Sequence, residues 1–137
     1  MQFSAEHQEL RKTVARFVEA ELNPHVEAWE EAGIWPAREV LKKMAGLGLL
    51  GISKPEAYGG MGLGYVEVVA MMEQMGRYLL CSPFFSTVCL GANALLVAGS
   101  DEQKNAYLGQ IVAGEATATL AFNGGMNRWD AEAVTAT

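Results

Sequence analysis

Basic side chains are scarce in this sequence. Its 137 residues include ten lysines and arginines against sixteen aspartates and glutamates, which gives a formal net charge of -6. The ten positive charges are spread thinly and form no stripe. Because a phosphate backbone is bound by clustered positive charge, this distribution excludes nucleic acid as a partner.

Cysteine and histidine are scarcer still, with two residues of each. Cys81 and Cys89 lie eight positions apart on one predicted helical segment, a separation of roughly 12 Å along its axis, which is too long for a disulfide. We expect both to be buried, reduced thiols. His7 and His25 are distant in sequence and neither cysteine belongs to a CxxC pair, so we predict no metal site.

Charge is absent from the segment between Tyr78 and Ser100. The segment is long enough to cross a bilayer, but it contains a proline, two glycines and several polar side chains, which favour a buried helix of a soluble domain. The N-terminus shows neither an apolar signal core nor an arginine-rich presequence. We therefore predict a cytoplasmic protein with no integral membrane segment.

Hydrophobic residues make up 50% of the chain and charged residues 19%, which excludes a disordered tail. A chain of this length buries a single core without disulfides or a metal. The high apolar content also indicates that another domain or subunit covers part of the surface.

Apolar residues recur at helical spacing through most of the chain. Ser4 is a candidate N-cap for a first helix of about 18 residues, which Asn23-Pro24 interrupts. A short second helix over 25–31 is closed by Gly33, a third starts at Trp35-Pro36 and ends near Gly48, and a fourth ends near Gly76. The uncharged segment from Pro83 to Val97 is apolar nearly all round, so we predict a central, buried helix there.

Glycine is concentrated in one connection, residues 47–64, which reads LGLLGISKPEAYGGMGLG. Glycines at this density permit positive φ angles and Pro55 restricts one φ angle, so the segment is predicted to be one defined irregular turn between two helices. A last helix is predicted from Ser100, whose capping box includes Gln103, to Ala113, with Gly114 as its stop.

The pattern changes after Gly114. Residues 116–122 lack helical charge spacing and favour a strand, Asn123-Gly124-Gly125 favours a turn, and residues 133–137 favour a second strand. Two strands alone are marginal in water. The sequence therefore predicts a mainly α chain that ends just inside a β-rich domain.

Two of these segments resemble the acyl-CoA dehydrogenases, flavoenzymes that oxidise acyl thioesters at the α,β bond. The glycine connection matches the family's GLLGI-x-x-P-E-x-Y-GG-x-G turn, and Gly99, Ser100, Gln103, Tyr107, Leu108 and Gly114 match the pattern of a family helix. The resemblance implies that residues 1–114 form the family's helical N-terminal bundle. It also implies that residues 115–137 are the opening strands of an incomplete middle β domain.

The same resemblance implies FAD as cofactor and an acyl-CoA as substrate. The family's acyl tunnel maps to a segment whose candidate substrate-binding residues are Ser82, Pro83, Phe84, Ser86 and Thr87. The candidate flavin-binding residues are Leu120 and Phe122, as an apolar wall, and Asn123, as a hydrogen-bond donor to a flavin carbonyl. Trp129 departs from the family pattern, because it replaces a serine hydroxyl near the thioester.

No residue of this chain is assigned a catalytic role. In the family the glutamate that removes the α proton belongs to a C-terminal helical bundle, and the acidic residues here fall mostly on solvent-facing helix surfaces. The segment alone is expected to be inactive, whereas the whole enzyme would also need an electron-transfer acceptor and would form a homo-oligomer. The alternative is a non-catalytic helical subunit or interaction module that packs on a partner carrying the chemistry.

Overall fold

The fold, seen in a computed structural model that describes residues 3–122 and residue 132, is helical. Within those residues it contains six α-helices and no β-strand, so the mainly α fold class is confirmed. The helices are α1 (Ala5–Glu21), α2 (Val26–Ala32), α3 (Ala37–Gly46), α4 (Tyr65–Arg77), α5 (Ala92–Ala98) and α6 (Asp101–Val112). 3₁₀ turns cover Asn23–His25 and Glu56–Tyr58, and a π-helix covers Phe85–Gly91.

The predicted N-cap Ser4 and the predicted capping box at Ser100 both start helices, and Ser4 also forms a capping box. The Ser4 hydroxyl accepts a hydrogen bond from the His7 N–H, and His7 Nδ1 accepts one from the Ser4 N–H at 2.9 Å. Ser100 and Gln103 repeat this exchange at the start of α6, where the Ser100 N–H donates to Gln103 Oε1 at 2.8 Å. Gly114 follows α6 with a φ of +70°, as predicted for a helix stop. These ends agree with the sequence because their signals are local.

The main core forms where α1 packs on α4 and both contact α3 and the glycine connection. Its buried side chains include Val14, Phe17, Val18, Val40, Leu41, Met44, Val68, Met71 and Met75. Burying each such side chain contributes roughly 1.5–3 kcal/mol relative to exposure. At the surface, the salt bridge between Arg11 and Glu73 joins α1 to α4 at 3.0 Å. A smaller core between α5 and α6 contains Ala92, Leu108 and Ile111.

The glycine connection is one defined turn, as predicted. Its backbone closes on itself through three hydrogen bonds: Met61 N–H to the Gly51 carbonyl at 2.9 Å, Gly62 N–H to the Lys54 carbonyl at 2.8 Å, and Leu63 N–H to the Ile52 carbonyl at 2.9 Å. Its first part is buried, and Leu49, Leu50 and Ile52 each expose only 1% of their surface. The turn is therefore part of the core.

The uncharged segment differs from the single, centrally buried helix that the sequence predicts. It divides into the π-helix and α5, and Phe85 and Val97 expose 52% and 87% of their surface. A helix that is apolar on every side is favourable only when other elements bury every side. The rest of the described chain does not bury Phe85 and Val97. Cys81 was expected to be buried in this helix, but it is exposed and precedes the π-helix, whereas Cys89 is half-buried.

Residues 116–122 form no strand, because the described residues offer no second strand to pair with. The second predicted strand, 133–137, lies outside the described residues. No helix in the described part of the chain has the length and apolar character needed to span a membrane.

Candidate functional site

The predicted substrate-binding residues lie where the chain leaves α4 and enters the π-helix. The Ser82 and Ser86 hydroxyl groups form hydrogen bonds with the backbone of this turn. Ser82 Oγ accepts a hydrogen bond from the Phe84 N–H at 3.2 Å, and Ser86 Oγ donates to the Pro83 carbonyl at 3.0 Å. Both of these serine hydroxyl groups are therefore engaged within the turn.

A cavity of about 230 Å³ lies against this turn. It is lined by Met72, Met75, Gly76, Leu79, Leu80, Ser82, Phe84 and Phe85. The cavity brings together Ser82 and Phe84 from the predicted set, whereas Pro83, Ser86 and Thr87 do not line it. Its walls are mostly apolar, which is typical of a pocket for a hydrocarbon group. We call it the turn cavity.

Leu79 stands at the rim of the turn cavity in an unusual conformation. Its φ is +50°, in the left-handed region where a non-glycine residue is strained by roughly 1–2 kcal/mol. The conformation closes the end of α4, since the Leu79 N–H donates to the Gly76 carbonyl and the Leu80 N–H to the Met75 carbonyl. It leaves 88% of the Leu79 side chain exposed beside the cavity. Strain of this kind is often retained at functional sites.

Thr87 joins the predicted pocket segment to the predicted flavin segment. It is 1% exposed, and its hydroxyl accepts a hydrogen bond from the Ala118 N–H at 3.2 Å. Gly91 lies against the same residue, so closely that a Cβ at Gly91 would meet Ala118 Cβ at 2.6 Å. Two residues further on, Leu120 is 40% exposed, and Phe122 is 36% exposed. Asn123 lies outside the described residues.

Lys54, in the glycine connection, is a completely buried lysine. It is 0% exposed, and its Nζ donates a hydrogen bond to Asn93 Oδ1, in α5, at 2.5 Å. Among residues 3–122, no carboxylate lies within salt-bridge distance of it. Burial therefore lowers the pKa of the Lys54 ammonium below its usual range. Burial also raises the pKa of the nearby Cys89 thiol, an effect that the positive charge of Lys54 opposes.

We expect the protein to become more stable relative to its Lys54→Met variant as the pH rises. In the unfolded chain the Lys54 ammonium titrates near ~10.4, whereas burial lowers its pKa in the folded state. Between the folded and unfolded pKa values the unfolded state binds more protons, so raising the pH favours folding. At pH values below the folded-state pKa, Lys54 is charged in both states, and the cost of burying that charge lowers the free energy of unfolding in full.

Urea unfolding of both proteins from about pH 7 to about pH 10 measures this difference. Both should carry Cys89→Ala, because the raised pKa of that thiol makes its titration destabilise the folded state as pH rises. Lys42→Met, at an exposed lysine of α3, is the control and should leave the slope unchanged. Parallel pH profiles for the parent and Lys54→Met would contradict the expectation.

Several residues of the site have no clear signature in the sequence. Met72 and Met75 match a helical apolar face, which is more often core than ligand surface. A lysine before Pro55 in a glycine-rich turn indicates an exposed charge, so the burial of Lys54 was missed. A useful clue would have been Asn93, since an amide within an otherwise apolar helix needs a polar partner when it is buried.

Comparison with known proteins agrees with this architecture. The chain matches the family profile described as "Acyl-CoA dehydrogenase, N-terminal domain" over residues 4–115. It is 36% identical over 125 residues to isovaleryl-CoA dehydrogenase from Pongo abelii, an alignment that covers 88% of this chain and 29% of that protein.

Two solved structures share the fold. The acyl-CoA dehydrogenase from Bacillus anthracis, crystallised with FAD, superposes with a TM-score of 0.79 at 31% identity over 90% of this chain and 22% of that chain. The ChsE4-ChsE5 complex from Mycobacterium tuberculosis gives a TM-score of 0.77 at 30% identity over 93% of this chain and 35% of that chain.

The fold and its matches define a helical domain of the acyl-CoA dehydrogenase N-terminal type. The chain belongs to the acyl-CoA dehydrogenase family. It spans 29% of the length of the isovaleryl-CoA dehydrogenase that it matches.

Proposed function

We propose that this chain is the helical N-terminal part of an FAD-dependent acyl-CoA dehydrogenase, in which it contributes one wall of the acyl pocket and part of the flavin wall. One observation carries the proposal: Thr87 and Gly91, on the pocket segment, hold Ala118, which leads directly to Leu120 and Phe122. An acyl chain and a flavin must lie side by side for hydride transfer, and a contact between the two predicted segments supports that arrangement.

The residues present suit an apolar acyl group and one edge of a flat ring. Met72, Met75, Leu80 and Phe84 would hold the acyl tail and exclude water from it. Leu120 and Phe122 would contact the flavin ring, with Asn123 as the predicted donor to a flavin carbonyl. When bound, FAD supplies the acceptor for the hydride that leaves the acyl β carbon. The base that takes the α proton is assigned to residues outside this chain.

The whole protein, loaded with flavin and mixed with a panel of acyl-CoA thioesters, tests the proposal. We expect flavin absorbance to be bleached by at least one acyl-CoA and not by free CoA. Gly76→Leu should lower kcat/KM about tenfold or more, because the added side chain enters the turn cavity. No heavy atom lies within 4 Å of a Cβ built at Gly76, so the variant should fold.

Gly109→Leu, in α6, is the matched control, since a Cβ there also meets nothing within 4 Å and the residue does not line the turn cavity. It should leave kcat/KM unchanged. A flavin-loaded protein that no acyl-CoA bleaches would contradict the proposed activity. An active protein in which both leucine variants behave alike would contradict the location of the acyl pocket.

The exposed apolar side chains support a second candidate, a helical subunit that packs on a partner carrying the chemistry. Leu79, Phe85 and Val97 expose 88%, 52% and 87% of their surface, which is unusual for large apolar side chains on one segment. The native mass of the protein purified from its source separates the two candidates. A stable complex with a different, flavin-containing chain supports the subunit, and a single flavin-containing chain of higher mass supports the enzyme.

A further inference from the structure

The buried lysine of the glycine connection reaches across to the helix that carries the predicted acyl pocket. Lys54 Nζ donates to Asn93 Oδ1 at 2.5 Å, and Asn93 Nδ2 donates to the Cys89 carbonyl at 3.0 Å. The order of donors is set chemically, since Asn93 Oδ1 can only accept and its Nδ2 can only donate. Lys54 therefore determines which end of the Asn93 amide faces the helix.

The Cys89 carbonyl lies where the backbone pattern changes. Phe85–Gly91 is a π-helix, in which the Ala92 N–H donates to the Thr87 carbonyl five residues earlier, and an α-helix begins at Ala92. The Cys89 carbonyl lies in the last turn of the π-helix, and Asn93, whose amide donates to it, lies in the first turn of the α-helix. Through this bond Asn93 links the junction of the two helices to Lys54 in the glycine connection.

The register of this turn decides which side chains face the turn cavity. Removing the extra residue of a π-helix rotates the residues before it by about 100° relative to those after it, since an α-helix has 3.6 residues per turn. Phe84 and Phe85, which line the cavity, and Thr87, which holds Ala118, precede the change. Their positions all depend on the same turn.

We propose that Lys54 is a positioning residue for the acyl pocket: through Asn93 it holds the π-helix in the register that shapes the turn cavity. The proposal rests on the proposed function for its acyl-CoA part. Lys54 touches neither substrate nor cofactor; it acts through Asn93. A fully buried lysine bonded to an amide, without a carboxylate partner among the described residues, is otherwise unfavourable, so its presence calls for such a role.

The test uses Lys54→Met and Asn93→Asp in the whole protein. Lys54→Met removes the first bond of the relay, and Asn93→Asp keeps an acceptor for Lys54 while it removes the donor to Cys89. We expect each variant to raise the acyl-CoA KM about tenfold, the effect of losing one buried hydrogen bond, with kcat changed less than about twofold. Lys42→Met, at an exposed lysine, should change neither constant.

A second readout needs no acyl-CoA. In a Cys81→Ser background we measure alkylation of Cys89 by iodoacetamide, and expect both variants to react about tenfold faster because the turn opens more often. In Lys54→Met the lost positive charge by itself would slow the reaction, since that charge lowers the thiol pKa. Faster alkylation of Cys89 therefore reports opening of the turn and not the loss of the Lys54 charge.

Labelling separates this proposal from the proposed function. Parental alkylation rates in both folded variants would overturn the role of Lys54, whatever activity the parent shows. If no acyl-CoA reduces the flavin of the parent protein, the proposed function is overturned. Faster alkylation of Cys89 in the variants would still support the proposal that Lys54 stabilises the π-helix. If Lys54→Met fails to fold, Asn93→Asp decides by the same criteria.

Discussion

Replacing Gly60 with alanine is expected to lower the free energy of unfolding by about 3 kcal/mol or more, because the added methyl group has no place to go. A Cβ at Gly60 would lie 2.1 Å from the Lys54 carbonyl oxygen and 2.8 Å from the Gly51 carbonyl oxygen. Both neighbours are backbone atoms of the glycine connection, and neither can move without disturbing the turn.

The same two carbonyls accept the hydrogen bonds that close the turn. Met61 N–H donates to Gly51 and Gly62 N–H donates to Lys54. Relief of the clash would therefore stretch these bonds and shift Leu50 and Ile52, which are buried next to them. Each broken buried bond adds about 1–3 kcal/mol to the loss.

Urea unfolding monitored by circular dichroism measures the effect. Gly46→Ala, at the last residue of α3, is the control, because a Cβ there meets nothing within 4 Å. It should be neutral or stabilising by up to about 1 kcal/mol, since alanine favours a helix over glycine. A Gly60→Ala protein as stable as the Gly46→Ala protein would show that the turn is built differently.

Replacing Gly91 with alanine is expected to slow flavin reduction by acyl-CoA about tenfold or more while leaving the main core folded. A Cβ at Gly91 would lie 2.6 Å from Ala118 Cβ and 3.0 Å from the Thr119 nitrogen. Residues 116–122 must therefore move away from Gly91, and the Thr87 hydroxyl then loses its hydrogen bond from the Ala118 N–H. Leu120 and Phe122, further along the segment, would be displaced from the proposed flavin wall.

A second substitution makes this expectation specific. Ala118→Gly removes the methyl group that the new alanine would strike, so Gly91→Ala combined with Ala118→Gly should recover much of the rate. Stopped-flow flavin reduction, with Gly109→Ala as the control in an open helical position, gives the comparison. Equal rates of flavin reduction for the parent and Gly91→Ala would show that residues 116–122 do not shape the flavin site. If the second substitution fails to restore the rate, the clash with Ala118 is not the cause of the loss.

Much of the helical fold could be predicted because its signals lie within a few residues of one another. The Ser4 and Ser100 caps, the Gly114 stop and the helix over 65–77 depend on hydrogen bonds and apolar spacing inside one segment. The glycine connection was also predicted as a defined turn, since glycine and proline restrict the backbone directly. Such local agreement is what a foldable sequence is expected to show.

The uncharged segment could not be predicted in the same way. Its composition indicates burial, but whether each side is covered depends on elements distant in sequence, and Phe85 and Val97 prove exposed. The π-helix likewise has no propensity signal, because a π turn differs from an α turn by one residue. The predicted strand over 116–122 needs a partner strand, and none lies in the part of the chain that the structure describes.

The candidate site was predicted only in part. The pocket segment was identified by its resemblance to a family pattern, and Ser82 and Phe84 do line one cavity. The roles of all the predicted substrate-binding and flavin-binding residues, Ser82 and Phe84 included, remain predictions, although the contact between Thr87 and Ala118 joins the two segments. Met72, Met75 and Leu79 entered the site only when α4 and the following turn were brought together in space.

By itself the sequence determined the start of α1, the start and stop of α6, the closed glycine turn, and the motifs that indicate the family, because each rests on neighbouring residues. Only the tertiary structure decided that Lys54 is buried against Asn93 and that Thr87 holds Ala118. Each of these depends on contacts between segments far apart in sequence. Burial and hydrogen-bond partners are properties of the packed chain, so no local pattern of residues can specify them.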